Sequence, residues 1–163
     1  MKKLFLFTIA AIISLTGFTS CDFEPDEVIE NVVFDNMIYT VYTKDKTATL
    51  TGYRIVSADI NIPATITYKE KVYSVTAIED KAFHAAKSTD TLVIGSNIQS
   101  IGYEAFYSLI KVDTEIYCYP VTPPNCRGGN FTYGYGILHV PAGSVNAYRN
   151  AKNFAYREII GDL

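Results

Sequence analysis

The chain has 163 residues, a formal net charge of −3 at pH 7 and 48% hydrophobic residues, so its length allows little more than one domain. Charged residues make up only 19%, with acids exceeding bases, and this balance speaks against nucleic acid as a partner. Thirteen Tyr, nine Phe and no Trp, together with many Thr, Ile and Val, favour strands over helices.

In chain order the first element is an address. Lys2 and Lys3 precede the uncharged stretch 4–18, and the small polar residues Thr19 and Ser20 follow, which predicts a secretory signal over 1–20. That stretch falls below the roughly 20 residues a permanent membrane helix needs. The segment Leu15-Thr16-Gly17-Phe18-Thr19-Ser20-Cys21 resembles the lipobox of bacterial lipoproteins, departing from it at Phe18, where an aliphatic residue is usual. The resemblance implies that Cys21 becomes an acylated N-terminus that holds the protein at a membrane, because each buried methylene of an acyl chain contributes about 0.8 kcal/mol. The plainer reading is a secreted protein that keeps Cys21 as a free thiol.

Residues 21–35 carry Asp22, Glu24, Asp26, Glu27, Glu30 and Asp35, with no Lys or Arg before Lys44, and so read as an acidic, self-repelling tether. The run from Cys21 to Glu27 also resembles an acid-rich signal that some Gram-negative lineages use to send lipoproteins to the outer face of the outer membrane. Since Lys2 and Lys3 are two of the 14 bases, the chain from Cys21 onward carries 12 bases against 17 acids, a formal charge of −5.

Alternating apolar residues at 37–42 and 47–52 flank Lys44-Asp45-Lys46 and predict a hairpin, as do 66–68 and 72–75 around Lys69-Glu70-Lys71. Beyond them lies an internal repeat. Val75, Ile78, Ala82, Phe83 and Ala86 recur 23 residues later as Ile98, Ile101, Ala105, Phe106 and Leu109. A period in the twenties is that of a solenoid with one strand per coil. A second ladder keeps the same register: Ile60 to Ile62, Leu92 to Ile94, Ile116 to Cys118 and Leu138 to Val140 read as successive rungs of one sheet. One coil cannot bury its own apolar face, so the ends must be capped. The first hairpin serves at one end. At the other, Ser144 is placed to cap a short helix with Val145, Tyr148, Ala151 and Phe154 on one face.

At these residues the chain resembles the BspA-like leucine-rich repeats of bacterial surface antigens. Phe83, Ala86, Thr89, Leu92, Ile94, Gly95, Ile98, Ile101 and Gly102 follow that family's unit, with Thr89 in place of leucine and Gly95 in place of proline. Glu70 also departs, standing where a turn glycine is common. The resemblance covers roughly residues 36–163. It implies a mainly β fold with short helices: a small leucine-rich-repeat-like solenoid of about two 23-residue repeats, at 75–97 and 98–118. An N-terminal hairpin cap and a C-terminal cap over 119–163 with a short helix would close it. It further implies a cell-surface lipoprotein of the outer membrane, adhering to host matrix protein, glycan or other bacteria. The alternative is an accessory lipoprotein that docks onto another envelope protein.

No catalytic constellation is legible, and no cofactor or metal is implied. His84 and His139 are the only histidines and lack metal-ligand spacing to Cys or carboxylates. His84 follows the core Phe83 and is expected in solvent; His139 alternates with Leu138 and Val140 and is expected on the outer face of the sheet. Neither a Gly-x-Ser-x-Gly elbow nor a phosphate-cradling loop occurs. Cys118 and Cys126, eight residues apart, are either a disulfide outside the cytoplasm or a buried thiol and a free loop thiol. The glycine-rich loop 127–136 offers Tyr133 and Tyr135 as a contact surface, or else simply caps the solenoid with Phe131 as its plug.

Overall fold

The structure, a computed structural model, describes residues 26–131, 136–154 and 158–163. Alternation sets its beginning. Strands β1 (Val28–Phe34), β2 (Met37–Tyr42) and β3 (Thr47–Tyr53) form an antiparallel meander. In β2, Met37, Tyr39 and Val41 point into the core while Ile38, Thr40 and Tyr42 are half-buried. The expected hairpin of β2 and β3 is present. The extent of the tether needs correcting, because β1 lies within 21–35. Its apolar residues bury Val32 against the core, while Glu30 and Asn31 sit exposed at a register shift between Ile29 and Val32. The count of acids concealed that pattern. The turn that follows, Asp35-Asn36, has φ of 46° and 60°, the handedness that two-residue hairpin turns require.

The chain then alternates between two sheets. Strand β4 (Asp59–Ile62) opens one, and the hairpin of β5 (Thr65–Tyr68) and β6 (Lys71–Ile78) belongs to the other. At its tip Lys69 and Glu70 have φ of 47° and 63°, so this turn takes the left-handed form without glycine. Next come β7 (Thr91–Ile94), β8 (Ser100–Ile101), β9 (Glu115–Cys118), β10 (Asn125–Cys126) and β11 (Ile137–Val140). A 3-10 turn (Ala142–Ser144), helix α1 (Val145–Asn150) and β12 (Ile159–Gly161) complete the described elements.

The first sheet has seven strands in the order β1-β2-β3-β6-β8-β10, with β5 also on β6; the second runs β12-β11-β9-β7-β4. Every pairing in the second sheet is parallel and in register, as in Ile60, Leu92 and Ile116. The circuit between the sheets makes a β-solenoid of about four turns, longer than the two coils with clear sequence repeats. The additional turns keep the strand positions, with Ile60, Ile62, Leu138 and Val140 buried on their rungs.

The repeat core lies where the period places it. Val75, Ile78, Phe83, Ile98, Ile101 and Phe106 are all buried, Ile78 pairs with Ile101, and the rings of Phe83 and Phe106 stack at 5.8 Å. They belong to a longer column: Tyr53 stacks on Phe83 at 5.7 Å, Phe106 meets Phe131 at 5.8 Å, and Phe131 meets Phe154 at 5.1 Å. Each such pair adds about 0.5–1.5 kcal/mol beyond its buried area. The repeat is conformational too, since Lys81 and Glu104 have φ of 59° and 52°, and Ala85 and Ser108 have 63° and 67°. Gly102 is required by close approach: a Cβ there would collide with the backbone between Glu79 and Asp80.

Polar groups inside the coil are paired, as burial demands. The Thr89 hydroxyl lies within reach of the carbonyls of Ala58 and Thr91, which share its one proton, and the Thr114 hydroxyl donates to the Thr89 carbonyl at 2.9 Å. Thr89 therefore forms a hydrogen-bonded rung inside the coil. At the C-terminal cap, Tyr148 and Phe154 are fully buried, with Val145 and Ala151 partly so. Ser144 does precede α1, yet its hydroxyl is no helix cap; it donates to the Val121 carbonyl at 2.7 Å. It ties the cap to the preceding coil instead.

Candidate functional site

Two outward faces remain once the core is accounted for. On the first sheet the parallel rungs present Thr49, Ala77, Ser100 and Asn125 in register, all small and uncharged. This position faces outward, half-buried at Thr49, Ala77 and Ser100 and exposed at Asn125, because Leu50, Ile78, Ile101 and Cys126 next in sequence take the inward one. Beside that row a trough of about 590 Å³ runs from β3 and β6 across Gln99 to the loop 120–124. The loop is held firmly: the Tyr148 hydroxyl donates to the Pro120 carbonyl at 2.7 Å, and Ser144 holds Val121. At the other end of the row, Arg127 makes a two-pronged ion pair with Asp80 at 2.8 and 2.9 Å, and Asp80 also accepts from the Tyr103 backbone N–H.

The second sheet's outward row holds Asn61, Val93, Tyr117 and His139. His139 has the expected orientation, but its surroundings were not legible. It is only 8% exposed, stacks on Tyr117 at 4.6 Å, and lies between two carboxylates. Its Nε2 is 2.7 Å from Glu115 Oε2, and its Nδ1 is 2.9 Å from Asp162 Oδ2. Burial by itself lowers the imidazole pKa, but the hydrogen bonds and charges of Glu115 and Asp162 outweigh it and raise the value above the ordinary 6.5. Only the imidazolium offers an N–H to both carboxylates. The cluster clamps β9, β11 and the residue after β12 together, and no nucleophile adjoins it in the described contacts.

The cysteines are resolved by topology. Cys118 lies on β9 in the second sheet and Cys126 on β10 in the first, both buried and both free, so the disulfide alternative is not realised. Because the Tyr148 hydroxyl donates to Pro120, the Cys118 thiol donates in turn to the tyrosine oxygen, 3.3 Å away. Burial pushes both thiols up to about 12, far from the thiolate that nucleophilic chemistry needs. Cys126 is no loose loop thiol either; it packs beside Asn130, a residue that escaped sequence reasoning. The buried Asn130 side chain accepts from the Phe106 N–H at 2.9 Å and donates to the carbonyls of Gly102 and Arg127, both at 2.7 Å.

His84 is exposed as expected and stacks on Tyr107 at 6.4 Å. Phe131 is buried within the aromatic column, the part that the plug reading assigned to it. Cys21, Tyr133 and Tyr135 lie outside the described residues. Among the described residues no group of three or more His, Cys, Asp or Glu is arranged to hold a metal ion. No described helix is long and apolar enough to cross a membrane.

No family model matches the chain, and no curated protein matches it. Among solved structures it is similar to a leucine-rich repeat protein from Bacteroides capillosus ATCC 29799, with a TM-score of 0.50 and 20% identity, over 83% of this chain and 100% of that one. It also matches a leucine rich cell surface protein from Faecalibacterium prausnitzii A2-165, with a TM-score of 0.46 and 18% identity, over 72% of this chain and 27% of that one. The first likeness shows the fold: the leucine-rich-repeat architecture expected from the resemblance is the one observed.

Proposed function

We propose that the protein is a non-enzymatic, lipid-anchored scaffold of the bacterial outer surface that adheres through the outward face of its seven-stranded sheet. The observation that carries this reading is that face: a rigid, parallel array of small uncharged residues with a trough beside it. The lipobox-like segment ending at Cys21 supports the anchor, and the acids after it support display away from the membrane. High thiol pKa values and a histidine engaged by two carboxylates support a role without catalysis.

The partners that fit are host matrix protein, glycan or a neighbouring cell. Purified protein is expected to be retained by immobilised matrix proteins or mucins, or by bacterial cells, above an unrelated acidic protein of equal size. Retention no better than that control on every surface sinks the adhesion reading. Protease shaving of intact cells checks display, because a protein inside the envelope resists digestion.

The shortness of the face favours a second reading, docking onto another envelope protein. Few parallel rungs make up the face, while a standard interface needs about 800 Å² per partner. Crosslinking on cells separates the two: one stoichiometric envelope partner replaces adhesion by docking.

A further inference from the structure

The trough beside the first sheet is lined by 12 residues, none of them ionisable, in a chain with 19% charged residues. A ligand there meets no ion-pair partner. Thr47, Ser74, Thr76, Gln99 and Thr122 line it, and among the described residues no other group of the chain engages these side chains. Gln99 and Thr122 are exposed and Thr47, Ser74 and Thr76 half-buried, so water satisfies them until a ligand arrives. Hydroxyl and amide groups both donate and accept, and so do the hydroxyls of a sugar. Val121 and Pro123, on the loop that also carries Thr122, add an apolar patch suited to the C–H face of a pyranose ring. The volume of about 590 Å³ falls within the roughly 300–1,000 Å³ of small-ligand sites.

An extended peptide is disfavoured by the ladder itself. Strands β3, β6 and β8 under the trough each have a partner strand on both sides, which leaves no open edge for strand addition. The wall is also held in place before binding, through Tyr148 to Pro120 and Ser144 to Val121. A wall already ordered reduces the entropic cost of capture. We infer that this trough is a binding site for a neutral oligosaccharide, gripped by the hydroxyl and amide groups of Thr47, Ser74, Thr76, Gln99 and Thr122. The inference rests on the reading of the protein as a binding scaffold and names the ligand class of that face.

Saturation-transfer NMR on the purified protein tests it with soluble cello-, malto- and chito-oligosaccharides as neutral probes. Oligogalacturonate serves as the acidic probe and a Ser/Thr/Gly-rich peptide as the polypeptide probe. The expected result is transfer to at least one neutral probe, weakened about tenfold or more by Thr76→Arg, which fills the trough with a long cation. Should Thr76→Arg melt early, the double variant Gln99→Ala with Thr122→Ala serves instead, since both side chains are exposed. No transfer to any neutral probe at millimolar concentration overturns the inference, as does binding to the peptide or acidic probe alone. Neutral binding that these variants leave unchanged overturns the placement in the trough. Run beside the adhesion assay, the outcomes separate: matrix retention that survives without sugar binding ends this inference alone, and sugar binding without retention ends adhesion alone.

Discussion

The two sheets share one core yet treat their outward polar groups in opposite ways. On the second sheet Glu115, His139 and Asp162 are engaged by each other, and Tyr117 covers the imidazole. On the first, Ser100 and its neighbours in the row make no such cluster, and the hydroxyls of the adjoining trough face outward. Mutual pairing holds strands together and leaves little bonding capacity for a ligand. Unpaired groups on a rigid ladder add nothing to the fold but stay available. The difference separates a face whose polar groups are spent on the fold from one whose polar groups stay open to solvent.

The largest effect should come from what both faces depend on. Phe106→Ala removes the middle of the aromatic column and should cost about 3–5 kcal/mol by urea denaturation, abolishing either face with the fold. A loss under about 1 kcal/mol would mean that the column does not hold the two sheets in common. Asn130→Ala comes next, at about 2–3 kcal/mol, because the Phe106 N–H and two carbonyls lose buried partners.

His139 on the second sheet should give the protein a pH response above the ordinary imidazole range. Because the folded His139 pKa is raised, its contribution is fully present below the ordinary 6.5 and is lost as pH rises through the folded value. Tm should therefore fall as pH rises across that interval. His139→Gln should flatten this segment of the profile, and an unchanged slope in that variant would show that other groups cause it. The smallest effect is expected on the first sheet: Ser100→Ala should change stability by no more than about 0.5 kcal/mol. A larger loss would show that this row, too, is structural.

The repeat core was legible because burial on a ladder writes the same apolar letters at a fixed interval, so Val75 and Ile98, or Phe83 and Phe106, announce their equivalence. The trough was less so. Thr76 and Gln99 are 23 residues apart, and the same register could have placed them together, but outward positions need no particular spelling. Strand β1 was hidden by the acids around it, and Asn130 by its place in a loop. The pairing of Cys118 with Cys126 could not be judged by separation in the chain, since eight residues are enough to cross from one sheet to the other.

Alone, the amino-acid sequence determined the coil period, the inward residues, both hairpins and the position of the C-terminal cap, all consequences of local alternation and repetition of apolar groups. Only the tertiary structure decided that the thiols stay apart, that His139 lies between two carboxylates and that the trough carries no charge. Each of those depends on which residues distant in the chain become neighbours across coils, and the stacking of rungs about 4.8 Å apart sets that.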